Sequence, residues 1–192
     1  STSIAIPSTA VVDGKAYTVT AVADDAFASC TALSSITTNN GMDLKKSGLY
    51  FTKDNIKYKV LTKDAVQVAP KTYTGNVVIP ETVAAGNTFT VTSIDGKAFS
   101  RCYRLTSLNI PKSITTIDAD ASYGCFFYGC SQLAEINVDD ANTAYSSIDG
   151  VLFNKDKTEL IRYPQNKSGA YTIPNTVTTI GQKAFNYCDG LT

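Results

Sequence analysis

The 192-residue sequence predicts an α/β repeat fold, namely a solenoid of short stacked parallel β-strands with one-turn helices and inserted β-hairpins. Three observations predict it. In four places a phenylalanine is followed three residues later by a cysteine, and leucine follows three residues after that. An isoleucine–proline pair precedes each of these units, and a β-branched segment lies between the two. Because the chain has only eight phenylalanines and five cysteines, this recurrence indicates internal repeats.

The first elements of each repeat are the isoleucine–proline pair and the β-branched segment. The pairs occupy residues 6–7, 79–80, 110–111 and 173–174. The segments that follow them are rich in valine, isoleucine and threonine, and occupy residues 19–22, 91–94, 114–117 and 177–180. Since β-branched side chains favour extended backbone, we predict a short strand at each segment.

The phenylalanine–cysteine–leucine units supply the predicted core. Steps of three residues fit a single helical or 3₁₀ turn that leads into a strand, and we predict such strands at residues 33–37, 105–110 and 133–138. One unit cannot bury its own apolar edge, whereas stacked units align like side chains in continuous columns. The predicted core residues are Phe27, Cys30, Leu33, Phe99, Cys102, Leu105, Phe127, Cys130, Leu133, Phe185, Cys188 and Leu191.

Two kinds of β-hairpin interrupt the repeats. Turn residues flanked by apolar ones predict small hairpins at residues 13–14 and 86–87. Two similar longer segments, which begin at Gly48 and Gly150, alternate apolar and polar residues around an Asp, Asn or Lys turn. We predict that each of these forms a β-hairpin followed by a return strand.

The repeated blocks resemble the BspA-like leucine-rich-repeat family, which occurs in surface and secreted proteins of host-associated bacteria. The resemblance rests on the Ile-Pro, Val-Thr-x-Ile and Ala-Phe-x-x-Cys-x-x-Leu blocks and covers nearly the whole chain. It implies a leucine-rich-repeat solenoid, export from the cell, and a role in adhesion or recognition. Family members share no catalytic site, so the resemblance implies no catalytic residues.

Composition and motifs argue against several other classes of function. Lys+Arg and Asp+Glu are both 17, so the basic excess typical of nucleic-acid binding is missing. The sequence has no histidine, which is the commonest general base and metal ligand. No apolar run approaches the ~20 residues needed to cross a bilayer. The GxSxG, HExxH, GxGxxG and P-loop motifs are missing as well. We therefore expect no enzyme activity, cofactor, metal, nucleic-acid partner or membrane insertion.

The candidate binding surface is the solvent-facing side of the stacked strands, because repeat proteins often bind partners on such extended sheets. Tyr103 and Arg104 lie beside it and are the best anchors, since Tyr and Arg are enriched at binding hot spots. The alternative is an ordinary solvated sheet face. The predicted outward positions alternate with apolar ones, and they are Ser35, Thr37, Ser107, Asn109, Glu135 and Asn137.

The four repeated cysteines allow two interpretations. They could form a metal or redox site, but the chain has no CxxC pair. The alternative is a column of small buried thiols that behave as hydrophobic side chains. We favour the buried column.

We expect residues 1–192 to form a single repeat domain, and, because both ends fall inside a repeat, a fragment of a longer array. An open strand edge at the C-terminal end provides a surface for self-association.

Together these features predict a non-catalytic module at the cell surface or outside the cell. Its expected role is adhesion to a host or bacterial surface protein or polysaccharide. The main alternative is a structural spacer in a cell-surface protein, and a remote one is a carbohydrate-active enzyme.

Overall fold

The computed structural model describes residues 2–7, 9–19, 33–38, 50–62, 64–85, 87–118 and 127–192. The chain divides into two compact units: unit 1 comprises Ser1–Ala69 and Thr82–Thr92, and unit 2 comprises Pro70–Glu81 and Ser93–Thr192. The strands are β1 (Thr2–Ile6), β2 (Thr9–Val12), β3 (Lys15–Thr18), β4 (Leu33–Thr38), β5 (Tyr50–Lys53), β6 (Ile56–Val60), β7 (Ala65–Val68), β8 (Thr74–Val78), β9 (Thr82–Ala85), β10 (Asn87–Ile94), β11 (Arg104–Ile110), β12 (Thr116–Ile117), β13 (Glu135–Val138), β14 (Tyr145–Ile148), β15 (Val151–Asn154), β16 (Glu159–Arg162) and β17 (Thr179–Ile180).

Unit 1 contains the predicted hairpins of the first half of the chain. Strands β2 and β3 form an antiparallel pair around Asp13 and Gly14, and β9 pairs in the same way with β10. The longer hairpin is β5–β6, which turns at Asp54 and Asn55 and is followed by the return strand β7. Asp54 and Asn55 both have positive φ, as a two-residue type I′ turn requires. These hairpins are confirmed.

The remaining pairing of unit 1 joins distant segments. Strand β1 pairs in parallel with β4, and the larger sheet has the order β10-β7-β6-β5. The rings of Phe51, Tyr58 and Phe89 pack together in its core, with the Phe51 centroid 5.3 Å from Tyr58 and 5.8 Å from Phe89. Among the predicted core residues, Phe27 and Cys30 lie outside the described residues, and Leu33 begins β4.

Unit 2 contains the predicted stack of parallel strands. Strands β8, β11 and β13 lie side by side in one sheet, with β11 in the middle and both pairings parallel. Leu108 is aligned with Val77 on one side and Ile136 on the other, and all three are buried. The stacked parallel sheet therefore agrees with the sequence-based expectation.

Three of the four β-branched segments contain strand residues, which belong to β10, β12 and β17. Strand β12 pairs in parallel with Ser93 and Ile94, the last residues of β10. The segment at 19–22 lies outside the described residues apart from Val19.

The prediction of one-turn helices was wrong, because the described residues form turns and strands but no helix. In the second repeat, the Cys102 N–H donates to Phe99 O at 3.2 Å, and the Leu105 N–H donates to Cys102 O at 3.0 Å. The same two bonds recur in the units that begin at Phe127 and Phe185. Each unit thus makes two successive turns. A residue with positive φ in each unit (Arg101, Gly129 or Tyr187) prevents the bonds from continuing as a helix.

Aligned aromatic and cysteine side chains join the coils of unit 2. The Phe99 ring lies 5.0 Å from Tyr73 and 5.6 Å from Phe127, and the Phe185 ring lies 5.4 Å from Tyr163. Phe99, Cys102, Leu105, Phe127, Cys130 and Leu133 are buried, whereas Phe185, Cys188 and Leu191 are half-buried. Tyrosine occupies the aromatic position in coils that lack the phenylalanine unit.

The second long segment forms the predicted hairpin from β15 and β16, but the return strand expected after it is missing, because residues 163–178 form no strand. Strand β14, which lies before Gly150, was not predicted. Strands β14, β15 and β16 form an antiparallel sheet, and β17 adds to β16 in parallel. The β14–β15 turn, Asp149 and Gly150, lies against β13, where Gly150 O accepts the Ile136 N–H at 2.8 Å. A Cβ on Gly150 would lie 2.7 Å from Glu135 Cβ, so glycine is required for this close approach.

Candidate functional site

The predicted binding strands carry a ladder of polar side chains in unit 2. Asn76 of β8 lies opposite Ser107 of β11. The Asn76 Oδ1 accepts the Ser107 hydroxyl at 2.8 Å and the Asn109 amide at 3.0 Å. On the other side of β11, Ser107 is aligned with Glu135 and Asn109 with Asn137. These side chains therefore form two adjacent rows on one face of the sheet, and the Asn76 amide links the two rows.

Ser107 lies on the predicted face together with Asn109 but is barely exposed. Its relative exposure is only 9%, because β8 and β13 flank it and its hydroxyl is bonded to Asn76. Asn109 and Asn137 are half-buried, and Glu135 is exposed. Ser35 and Thr37 lie in β4 of unit 1, and their side chains are outside the described set.

A shallow depression of about 420 Å³ follows the carboxyl ends of β8, β11 and β13. It contains Asn109 and Asn137 together with the exposed Val78. The polar rows therefore end at an open surface that carries both polar and apolar side chains.

Tyr103 lies in a different and larger cavity of unit 2, which we call the tyrosine groove. Its volume is about 650 Å³, within the ~300–1,000 Å³ typical of small-molecule sites. Most of its residues occupy the non-core positions of the three repeat turns that the structure describes, and the others follow Pro164. The lining residues are Tyr103, Tyr128, Gly129, Ser131, Gln165, Asn166, Ser168, Tyr187, Asp189 and Gly190.

Three tyrosine rings form the apolar part of the groove. The Tyr128 and Tyr187 rings meet edge to face with their centroids 6.0 Å apart. Tyr103 and Tyr187 each have a relative exposure of 56%. The Tyr103 ring passes over Gly129, where a Cβ would lie 3.3 Å from Tyr103 Cε1. Gly129 therefore leaves the space that this ring occupies.

Tyr187 has a strained backbone. Its φ is 59°, in the left-handed region that a bulky residue rarely adopts. Gly129 occupies the same position of its turn with φ 76°, where glycine adopts the conformation without penalty. A non-glycine residue there costs about 1 kcal/mol or more. Since most of the Tyr187 ring is exposed, packing within the protein offers little to offset this cost.

The polar part of the groove is held by backbone hydrogen bonds. The Asn166 N–H donates to Leu133 O at 2.8 Å and anchors the segment after Pro164. Gln165, on the same segment, has a relative exposure of only 7%, and its Oε1 has no hydrogen-bond partner in the described part of the chain. Buried polar atoms in native proteins are nearly always paired. A buried acceptor without a partner therefore lies on a residue of the groove wall.

The two predicted anchors separate in the structure. Tyr103 lines the groove, whereas Arg104 is exposed at the start of β11, opposite Thr74 of β8, and is not part of the lining. Sequence reasoning did not identify Tyr128, Tyr187 or Gln165. The available signal was that Tyr128 and Tyr187 occupy variable positions inside the repeated turns, beside the core residues.

The described repeat cysteines are structural contacts between coils. Cys102, Cys130 and Cys188 form no disulfide bond. The Cys102 Sγ donates to Lys71 O at 3.3 Å, and the Cys130 Sγ donates to Phe99 O at 3.0 Å. The Cys188 Sγ lies 3.6 Å from Tyr163 O. Over the described ranges, no group of three or more Cys, Asp or Glu residues is placed to hold a metal ion.

We expect Cys102 to resist alkylation in the folded protein. Burial raises the pKa of its thiol, and the Tyr73 N–H, which donates to the sulfur at 3.3 Å, only partly opposes this shift. The thiolate is the reactive form, so both a raised pKa and burial slow the reaction. Iodoacetamide labelling at neutral pH, followed by peptide mass spectrometry, should show Cys102 labelled only in denaturant. Equal rates in folded and unfolded protein would contradict this, and the half-buried Cys188 serves as an internal comparison.

The parallel strand stack, the repeated turns and the aligned core columns define a leucine-rich-repeat protein. The family described as the BspA type leucine rich repeat region matches residues 14–126 and 163–192 in six copies. This match covers more than half of the sequence, so the chain belongs to the BspA-type leucine-rich-repeat family. No curated protein is similar to this chain at a significant level.

Several solved structures are similar. The pneumococcal vaccine antigen PcpA is 24% identical with a TM-score of 0.50, and the match covers 96% of this chain and 52% of the antigen. A leucine-rich repeat protein from Bacteroides ovatus is 27% identical with a TM-score of 0.46, covering 73% of this chain and 39% of that one. The likeness to the pneumococcal antigen shows the fold, and this chain spans about half of the antigen's length. Over the described residues, no helix is long and apolar enough to span a membrane.

Proposed function

We propose that the chain is a non-catalytic recognition module, exposed at the cell surface or outside the cell, that binds its partner in the tyrosine groove. The partner is a protein or polysaccharide of a host or bacterial surface. Membership of the BspA-type family and the fold shared with a pneumococcal vaccine antigen support this class of function.

The observation that carries the proposal is the display of Tyr103 and Tyr187 in one cavity. Tyrosines are enriched at binding hot spots because a large ring supplies contact area at a low entropic cost. Both rings are more than half exposed, and neither belongs to the core columns. Their positions in the repeat turns can vary without disturbing the Phe, Cys and Leu columns, so they are free to serve recognition.

Replacing Tyr103 with alanine should weaken binding about tenfold, or about 1.4 kcal/mol. The purified chain is titrated with a panel of matrix proteins and of host and bacterial surface polysaccharides. The melting temperature should stay unchanged, because the Tyr103 ring is exposed and outside the core.

Two matched variants serve as controls for this measurement. Tyr17 has a relative exposure of 50% and lies in unit 1, outside the groove, so Tyr17→Ala should bind like the parent. Arg104→Ala tests the neighbouring exposed residue separately. If Tyr103→Ala leaves the affinity unchanged, the groove is not the binding site. If the folded protein binds no member of the panel, the structural spacer function is favoured.

A further inference from the structure

We propose that the tyrosine groove binds a short, uncharged oligosaccharide, and that Tyr187 is the ring against which a sugar packs. This inference rests on the proposed recognition function and names the chemical class of the ligand. Three properties of the groove support it: the kind of polar groups in its lining, the unpaired acceptor of Gln165, and the exposed ring of Tyr187.

The polar lining matches hydroxyl groups better than it matches charges. Serine hydroxyls and amide side chains both donate and accept hydrogen bonds, as sugar hydroxyls do. None of the residues that line the groove, all within the described part of unit 2, is Lys or Arg. Asp189 is the one acidic residue among them. An anionic ligand would meet this carboxylate without a compensating cation and is disfavoured, and the other polar side chains of the lining are neutral.

The buried amide of Gln165 provides a specific contact. Its Oε1 is a hydrogen-bond acceptor with no partner in the described residues, and the residue is 93% buried at the wall of the groove. Leaving such an acceptor unpaired is unfavourable, so a ligand group that donates to it is favoured. The Oε1 atom itself is closed to solvent, so the Gln165 amide has to turn toward the groove before a sugar hydroxyl can donate to it.

The three rings provide the complementary apolar surface. A sugar ring has one face of C–H groups, and the negative face of an aromatic ring attracts the slightly positive hydrogens on such a face. Arg101, Gly129 and Tyr187 share a positive φ at equivalent turn positions, and of the three only Tyr187 places a ring in the groove lining. The Tyr128 ring packs against the Tyr187 ring in an edge-to-face arrangement at 6.0 Å, and more than half of Tyr187 remains exposed.

The test uses fragments of β-glucan, mannan, chitin and galactan as neutral probes, with sulfated oligosaccharides and a proline-rich peptide as competitors. Binding is measured by titration calorimetry, and saturation-transfer NMR reports whether sugar C–H protons contact the protein. We expect saturable binding of at least one neutral fragment, with the strongest transfer to protons of one sugar face. Binding of only the sulfated probes, or only the peptide, would overturn the carbohydrate assignment.

The decisive variant is Tyr187→Gly, which removes the ring and relieves the backbone strain together. Affinity for the neutral fragment should fall about tenfold or more, while the melting temperature does not fall. Lys183→Gly is the matched control, since Lys183 is exposed, has a φ of 56° and lies outside the groove lining, so binding should be unchanged. Gln165→Met keeps the side-chain length and removes the acceptor, and should also weaken binding. Full affinity in both groove variants would overturn the inference.

Failure of this inference can be told apart from failure of the proposed function. If no neutral fragment binds, yet a surface protein binds and is sensitive to Tyr103→Ala, the groove is a recognition site for a protein and the carbohydrate inference is wrong. If no ligand of any class responds to Tyr103→Ala or Tyr187→Gly, both proposals are wrong.

Discussion

Phe127→Ala is expected to lower the free energy of unfolding by about 3–5 kcal/mol, as truncation of a core phenylalanine does. The Phe127 side chain is buried, and its ring packs at 5.6 Å from Phe99, which in turn packs against Tyr73. Removing one member of this aromatic column loses its apolar burial and leaves a cavity between neighbouring coils. The coils are rigidly spaced by parallel strand pairing, so they cannot close the gap easily.

Urea unfolding of the parent and of Phe127→Ala measures this loss. Phe127→Leu keeps most of the volume and should cost less than the alanine change. Tyr103→Ala removes an exposed ring of similar size and should leave stability nearly unchanged. A melting temperature of Phe127→Ala within about a degree of the parent would contradict the stacked core.

Asn142→Ala is expected to cost about 3 kcal/mol or more, because it removes four hydrogen bonds from a fully buried position. The Asn142 Nδ2 donates to Pro111 O at 2.8 Å and to Ile114 O at 2.9 Å. Its Oδ1 accepts the N–H groups of Ala144 and Tyr145, both at 2.8 Å. Alanine would remove the partner of the Ala144 and Tyr145 N–H groups and of Ile114 O, whereas Pro111 O would keep only the Ile114 N–H at 3.3 Å. The segments before β12 and β14 would lose their link.

Two further variants make the Asn142 result specific. Asn175→Ala changes an exposed asparagine and should alter stability by less than about 0.5 kcal/mol. Asn142→Asp keeps the acceptor but places a carboxylate against two carbonyl oxygens, which raises its pKa in the folded state. Its destabilisation should therefore diminish as pH falls through that raised pKa, since the folded state then binds the proton more tightly. An Asn142→Ala protein as stable as Asn175→Ala would show that the network is unimportant.

Residues close in sequence account for the successful predictions. The step of three from Phe99 to Cys102 and on to Leu105 is local, and so are the Asp-Gly and Asp-Asn turns of the hairpins. Repetition then makes the neighbours of each core residue predictable, because a repeat stacks on copies of itself. The one-turn helix is the local prediction that was wrong. A residue with positive φ in each described repeat unit divides the expected helical turn into two separate turns.

The binding groove depends on contacts that no local pattern contains. Tyr103, Tyr128 and Tyr187 come from three repeat units, and Gln165 comes from the loop after a hairpin. Sequence spacing identified Tyr103 as an anchor but paired it with Arg104, its neighbour in the chain. The structure pairs it instead with side chains of other coils, because adjacent residues at the start of a strand point in different directions.

The repeat fold, its core columns and its hairpins were therefore determined by local spacing and turn chemistry, which act between residues a few positions apart. Stacking of the coils decided which variable side chains meet, and it brought three tyrosines into one groove. It also buried Ser107 and enclosed Gln165, whose side-chain oxygen has no partner in the described residues. The physical reason is that core contacts follow from the repeated spacing of like residues. The groove follows from the register between coils, which depends on the lengths and turns of the intervening segments.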